Sequence, residues 1–375
     1  MLISRLMWDA YLAYHLRGQA EYPFKPLEAI KRAGNRRVRL MVEHAYRHVP
    51  YYRETMDRLG LRPSEFRAVE DLSKLPLLGH EEYQHNHEHF VSTAQRRDKC
   101  LRLRTGGSTG VPRTVYHDAR ALFQSAAHGE RKRSIIKTLA AKAYRYRETL
   151  ITHPFSSAKR IHRFYSENSL LSSGVRIHRQ FLSMLDSPEK NARLINKFKP
   201  DVVQGYGSYL EILFPVLADI GSSFHLPRVV IHTSDMLSGS ARNLIEKELN
   251  ILVLSTYQAV EAFEIGFECE YHQGFHLNVD LYPVRIVDAE GRTLEPGDSG
   301  EVVISNLVNR ATVLLYCILK QYTQLSRMKK KSGSIKSSRN RPPVSLLSWL
   351  PRQPVTAGAR VSASRTSWLR HLATT

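Results

Sequence analysis

Thr105-Gly106-Gly107-Ser108-Thr109-Gly110-Val111-Pro112-Arg113 sets three glycines and three hydroxyl side chains within six positions. Glycine lets a backbone turn tightly and approach a ligand closely. Amide N–H groups and hydroxyls can then converge on an anion, and a helix N-terminus adds its dipole. An apolar-basic run, 100–104, leads in, and a helix-like stretch, 119–133, follows. The spacing therefore predicts strand, loop and helix around a phosphate. Neither the Walker pattern nor the dinucleotide fingerprint is present. On composition alone, a plain Gly/Ser turn stands beside the phosphate reading.

The elements that must position this loop are legible downstream. Val202–Tyr206, Arg228–Thr233 and Ile251–Ser255 are short apolar runs, separated by helical patterns over Ser208–Leu217 and Ala241–Leu249. Such alternation predicts βαβ units and a parallel sheet covered on both faces, with ligands beyond the C-terminal strand ends. Thr149–His153 reads as a further buried strand, and His153 is a candidate for lining a pocket. Residues 1–60 read as helical, with Pro50 opening a second helix and Tyr51 and Tyr52 as packing residues. The first helix is apolar and reads as buried, with a peripheral membrane contact as the other reading. Four histidines, His80, His85, His87 and His89, stand among Glu81, Glu82, Asn86 and Glu88 at irregular spacing. That pattern favours an exposed helix over a metal site.

Thr-Gly-Gly-Ser-Thr-Gly-x-Pro resembles the phosphate-binding loop of the adenylate-forming (AMP-binding) enzymes, in particular the phenylacetate–CoA ligase-like branch, which includes capsular-polysaccharide-locus proteins. The resemblance implies that Thr105, Gly106, Gly107, Ser108, Thr109 and Gly110 hold the β- and γ-phosphates of ATP. Arg113 stands where many relatives carry Lys or Thr. Thr256-Tyr257-Gln258-Ala259-Val260-Glu261 resembles the Tyr-Gly-x-x-Glu motif, with Gln258 in place of Gly. Tyr257 is thereby expected to face the adenine and Glu261 to hold Mg²⁺, a cation that takes one or two carboxylates plus phosphate oxygens. The other reading of Glu261 is a helix-start acid. Ser234-Asp235 match loosely a loop bordering the acyl and nucleotide sites.

Cys269, His272 and His276 lie in a run similar to one that holds structural zinc in some relatives. Thiolate and imidazole suit that ion, but only Cys317 remains downstream and a four-ligand site is not expected. The resemblance covers 40–316. It implies an α/β fold, the N-terminal lobe of an adenylate-forming enzyme with mixed or parallel sheets under helices. The expected division is a helical segment 1–95, a nucleotide-binding core 96–316 and a basic tail 317–375.

Charge isolates that tail. The chain has 375 residues and net charge +20, yet residues 318–375 hold twelve Lys or Arg and no acid. A nucleic-acid reading from charge rests mostly on this tail, and no specific nucleic acid is expected. The segment reads as low in order, and as an out-of-frame or rearranged terminus in preference to a native basic arm. Neither the ribose-binding Arg-Tyr-x-x-Gly-Asp pattern nor a C-terminal lobe is recognisable, so impaired activity is expected. Three scattered cysteines suit a reducing compartment, and no window approaches a membrane span of roughly 18 apolar residues. The expected protein is cytoplasmic and uses ATP, Mg²⁺, coenzyme A and a small carboxylic acid. The alternative is a noncatalytic nucleotide-binding remnant or an accessory protein in polysaccharide biosynthesis.

Overall fold

The computed structural model describes residues 2–105, 112–142, 145–170, 177–220, 224–295, 298–326 and 346–349, the last eleven of these as backbone only. Ten α-helices are described: α1 Leu2–Leu16, α2 Leu27–His48, α3 Pro50–Arg58, α4 His80–His85, α5 Ala119–His128, α6 Glu130–Leu139, α7 Ser157–Asn168, α8 Pro188–Phe198, α9 Gly207–Ile220 and α10 Gly239–Asn243. The strands are β1 Leu101–Arg104, β2 Thr114–His117, β3 Tyr146–Thr152, β4 Ile177–Ser183, β5 Val202–Tyr206, β6 Val229–Thr233, β7 Leu252–Ala259, β8 Phe263–Glu268, β9 Phe275–Leu277, β10 Val284–Val287, β11 Ser299–Ile304, β12 Cys317–Ser326 and β13 Leu346–Trp349.

Among the described residues, eleven strands form one sheet in the order β10-β11-β12-β13-β9-β8-β7-β6-β5-β3-β4. The run β4-β3-β5-β6-β7 is parallel, and β7 begins the antiparallel half by pairing with β8. The parallel half answers the predicted βαβ alternation. Its strands are apolar throughout because helices cover it, Leu210, Leu213, Phe214 and Leu217 of α9 packing on Val203, Val230 and Val253. Two stretches read as single elements differ. The predicted helix 119–133 breaks at Gly129, where α6 begins afresh. The tail 317–375, expected to be low in order throughout, contributes β12 to the sheet beside β11. Ile318, Tyr322 and Thr323 are strand-favouring residues that its basic composition masks.

The N-terminal helices belong to the same body as the last strands. Val38, Met41, Val42 and Tyr52 of α2 and α3 share a core with Leu307, Val313, Leu314, Leu315 and Cys317. The Tyr52 hydroxyl accepts from Leu315 N–H at 2.7 Å. The helix α1 overturns the expectation of burial. Its polar side chains point inward: the Asp9 carboxylate accepts from Ser169 Oγ and from Leu170 N–H, and Gln124 Nε2 donates to Tyr11 Oη at 2.7 Å. Most of its aliphatic residues face out, Ile3 at 75% and Met7 at 67% exposure, while Leu12 and Leu16 are partly buried. Apolar content alone suggested burial, but orientation is decided by the partners that Asp9 and Tyr11 find on α5 and the end of α7.

Candidate functional site

Residues Tyr206, Thr233 and Thr256 stand in one register row, which ends β5 and β6 and crosses β7 where its parallel pairing with β6 stops. Gly207, Ser234 and Tyr257 come next, at the edge where open α/β sheets take ligands. The Thr233 and Thr256 hydroxyls in that row are buried and have no hydrogen-bond partner. Two orphaned hydroxyls on neighbouring strands are available to a bound polar group. No motif marked them in the sequence.

Ser234 turns the chain with φ +71°, and Asp235 then reaches across to α9. Its carboxylate accepts from Gly207 N–H at 2.5 Å and from the Ser208 hydroxyl at 2.5 Å. Asp235 thus satisfies the first turn of α9 from the neighbouring strand end. A Cβ on Gly207 would strike the Met236 carbonyl, so the approach that permits this requires glycine. Asp235→Ala is expected to cost about 1–2 kcal/mol, as loss of an N-terminal cap does, and urea unfolding measures it.

Residues Gly106, Gly107, Ser108, Thr109, Gly110 and Val111 lie outside the described residues, but the neck of their loop is described. Thr105 N–H donates to the Arg113 carbonyl at 3.0 Å, and Arg113 N–H returns to Thr105 Oγ1 at 2.9 Å. The flanks are the antiparallel pair β1 and β2, with Arg104 opposite Thr114. This corrects the strand–loop–helix expectation. The loop closes a hairpin in its own two-stranded sheet, and α5 starts only after β2, capped by Asp118. The apolar, β-branched character of Thr114-Val115-Tyr116 makes it a return strand instead of a helix entry. The neck of the loop therefore springs from this two-stranded sheet and not from a parallel strand end.

What brings the loop to the sheet is Arg113. Its Nη1 lies 3.1 Å from Glu261 Oε1, and both side chains are nearly inaccessible, at 3% and 6%. Nη1 also donates to the Ile318 carbonyl at 3.2 Å, while Nε and Nη2 have no hydrogen-bond partner. The guanidinium stands 5.8 Å from the Tyr83 ring. A second tie runs alongside, with His117 Nε2 at 2.9 Å from the Val260 carbonyl. Burial lowers the His117 pKa to about 4, so the ring is neutral at pH 7. Burial also pushes the Cys317 thiol beside Arg113 up to about 12. A cavity of about 310 Å³ opens beside the neck, with Arg102, Arg104 and Arg113 among its walls.

Tyr257 is part of β7, not of a loop after it. It packs among Ala121, Ile265 and Phe275, and burial, with Glu261 adding to it, raises its phenol well above the ordinary value. The Glu261 backbone carbonyl accepts from Asn306 Nδ2 at 2.7 Å. Its side chain can contribute one carboxylate to a metal, since no group of three His, Cys, Asp or Glu side chains is placed to hold an ion among the described residues. A single carboxylate fits a cation that arrives with phosphate oxygens, not a resident one.

The run similar to a zinc-holding one, where a four-ligand site is not expected, is also described. Cys269, His272 and His276 are not brought together: His272 Nδ1 meets Glu268 at 3.1 Å, whereas His276 lies across the ladder opposite Phe267 and is buried. The β8–β9 hairpin, with His272 at φ +48° in its turn, sends the two rings apart. His153 only turns its own loop, its Nδ1 accepting from Phe155 N–H.

No family model matches the chain. It is 26% identical over 313 residues to a phenylacetate-coenzyme A ligase of Thermus thermophilus, covering 79% of this chain and 66% of that protein. The phenylacetate-coenzyme A ligase of Escherichia coli is 26% identical over 306 residues, covering 77% and 65%. The chain thus spans slightly under two thirds of the length of these relatives. Among solved structures, a 2-hydroxyisobutyryl-CoA ligase in complex with 2-HIB-AMP and CoA superposes with TM-score 0.63 at 16% identity, over 79% of this chain and 65% of that one. Another state of that ligase, in complex with 2-HIB-AMP, gives 0.64 over 81% and 65%.

Proposed function

We propose that this chain, a homologue of phenylacetate-coenzyme A ligases with the fold of the N-terminal lobe of adenylate-forming enzymes, activates a small carboxylic acid with Mg·ATP and transfers the acyl group to coenzyme A. The single observation that carries the reading is the 3.1 Å contact between Arg113 and Glu261. It joins two motifs 148 residues apart, and these are the two that the reaction needs together.

In the first half-reaction a carboxylate oxygen attacks the α-phosphorus and pyrophosphate leaves. In the second, the thiol attacks the acyl carbon and AMP leaves. The work of the chain is to position the phosphates and offset developing charge. Thr105, Gly106, Gly107, Ser108, Thr109 and Gly110 would hold the β- and γ-phosphates, Tyr257 would border the adenine, and Ser234 and Asp235 would line the strand-end crevice. Glu261 would hold magnesium delivered with the nucleotide, an ion that neutralises phosphate charge. Arg113 would hold that carboxylate in place through its 3.1 Å contact.

The test is ATP–pyrophosphate exchange with a panel of acids, phenylacetate first. Acid-dependent exchange that falls about 100-fold or more in Glu261→Ala supports the proposal. Exchange unaffected by the substitution would leave Glu261 a purely structural partner of Arg113. ATP binding without exchange for any acid would favour the noncatalytic nucleotide binder, a reading supported by Glu261 already being committed to an internal cation.

A further inference from the structure

The helix α1 presents its apolar side to solvent. Leu2, Ile3, Leu6, Met7 and Tyr14 are 51% to 75% exposed, and Ala10 and Ala13 fill the stripe between them. Positions 3, 7, 10 and 14 follow helical spacing, so the stripe is continuous along one face. The side turned to the protein holds Arg5, Trp8, Asp9, Tyr11, Leu12 and His15, all buried or partly buried. Four ties fix this orientation: Arg5 to the Ser166 carbonyl at 2.5 Å, Asp9 to Ser169 and Leu170, Tyr11 to Gln124, and Trp8 stacked on Phe123 with centroids 5.0 Å apart. A helix loosely attached could roll over and bury its stripe; this one is held the wrong way round for a core.

The charges around α1 are mostly basic. The only acid of α1, Asp9, is buried, while Arg17 just beyond its end is exposed. The adjoining α7 carries Lys159, Arg160 and Arg163 against a single acid, Glu167, which Arg163 neutralises at 2.7 Å. A second copy of the chain would bring the same positive charge to the same face. We infer that α1 seats this protein on an anionic lipid surface, lying in the interface plane with its stripe among the acyl chains and the α7 cations over the headgroups. An apolar face inserted beside basic residues is the composition such helices use. Among the described residues no helix is long and apolar enough to cross a membrane, which agrees with a helix that lies on it.

Flotation of the full-length chain with vesicles of equal parts phosphatidylcholine and phosphatidylglycerol tests this. The chain is expected to float, and the double variant Ile3→Glu/Met7→Glu to bind about tenfold or more weakly with an unchanged melting temperature. Both positions are exposed, so folding should not suffer, and Tyr14→Glu gives an independent second variant. Undiminished flotation of these variants would overturn the inference, because the basic residues beyond 317 would then be carrying the binding. A chain that ignores vesicles but elutes as a dimer dispersed by Ile3→Glu would overturn it in favour of a second copy.

Discussion

Arg113→Met, in a chain that keeps Glu261, is expected to lower unfolding free energy by about 3–5 kcal/mol. The substitution removes the cation that lies 3.1 Å from a carboxylate whose side chain is 6% exposed. It also frees the Ile318 carbonyl, which has accepted from Nη1. Methionine fills much of the space, so the loss should come mainly from charge left without a partner. The pair is not itself a large net stabiliser, since bringing both charges out of water is costly. The double variant Arg113→Met/Glu261→Gln is therefore expected to recover most of the loss. Urea denaturation of the four species of this cycle decides the matter. Equal losses in Arg113→Met and in the double variant would mean that packing against Tyr83, not charge, is what Arg113 supplies.

Arg131→Met should have a comparable effect at a place remote from Glu261. The Arg131 guanidinium is buried and makes four bonds: to Gln19 Oε1 at 2.9 Å, Asn278 Oδ1 at 3.0 Å, and both Asp280 oxygens at 2.7 and 3.0 Å. It also lies 3.8 Å over the Tyr22 ring. One side chain on α6 thus ties the segment after α1 to the segment after β9. Burial opposes ionisation of Asp280, but Arg131 more than offsets it and holds the carboxyl below its usual range. That stability is present above the ordinary carboxylate pKa of about 4 and is lost as pH falls through the depressed folded value. Loss of Arg131 should cost about 3–5 kcal/mol and open the N-terminal 25 residues to protease before the sheet unfolds. A melting transition and a cleavage pattern like those of the parent chain would exclude the anchoring role.

The parallel half of the sheet was open to reading because its strands carry continuous β-branched runs, as in Val229-Val230-Ile231. Ile177–Ser183, reading Ile-His-Arg-Gln-Phe-Leu-Ser, has no such run, and it joins the sheet as an edge strand whose polar residues find partners there. One of these is Arg179, which bonds Glu148 on β3 at 2.6 Å. Phe263–Glu268 alternates apolar and polar residues, a pattern that marks a strand, but it follows so closely on Glu261 that a loop motif hides it. The glycine-rich stretch was visible as a loop, while its setting in a hairpin was not, because the decisive bonds join Thr105 to Arg113 across it. The pairing of Arg113 with Glu261 leaves no local trace either: opposite charges 148 positions apart have innumerable possible partners until the sheet chooses. The direction of α1 was hidden for a related reason. Its outward stripe is visible as apolar periodicity, but only the partners of Asp9 reveal which way the stripe looks.

The core shared by α2, α3 and residues 307–317 has a consequence for how the protein is made. Tyr52 leaves the ribosome 263 residues before its partner Leu315. At about 5–20 residues per second, roughly 15–50 s separate the two. Throughout that interval Val38, Met41, Val42 and Met56 lack the strand-end residues that complete their core. The usual order, in which the N-terminal part folds while the rest is being synthesised, is therefore reversed here. The first helices to emerge are among the last to close, and a nascent chain of this length is a natural client for a chaperone that shields apolar helices.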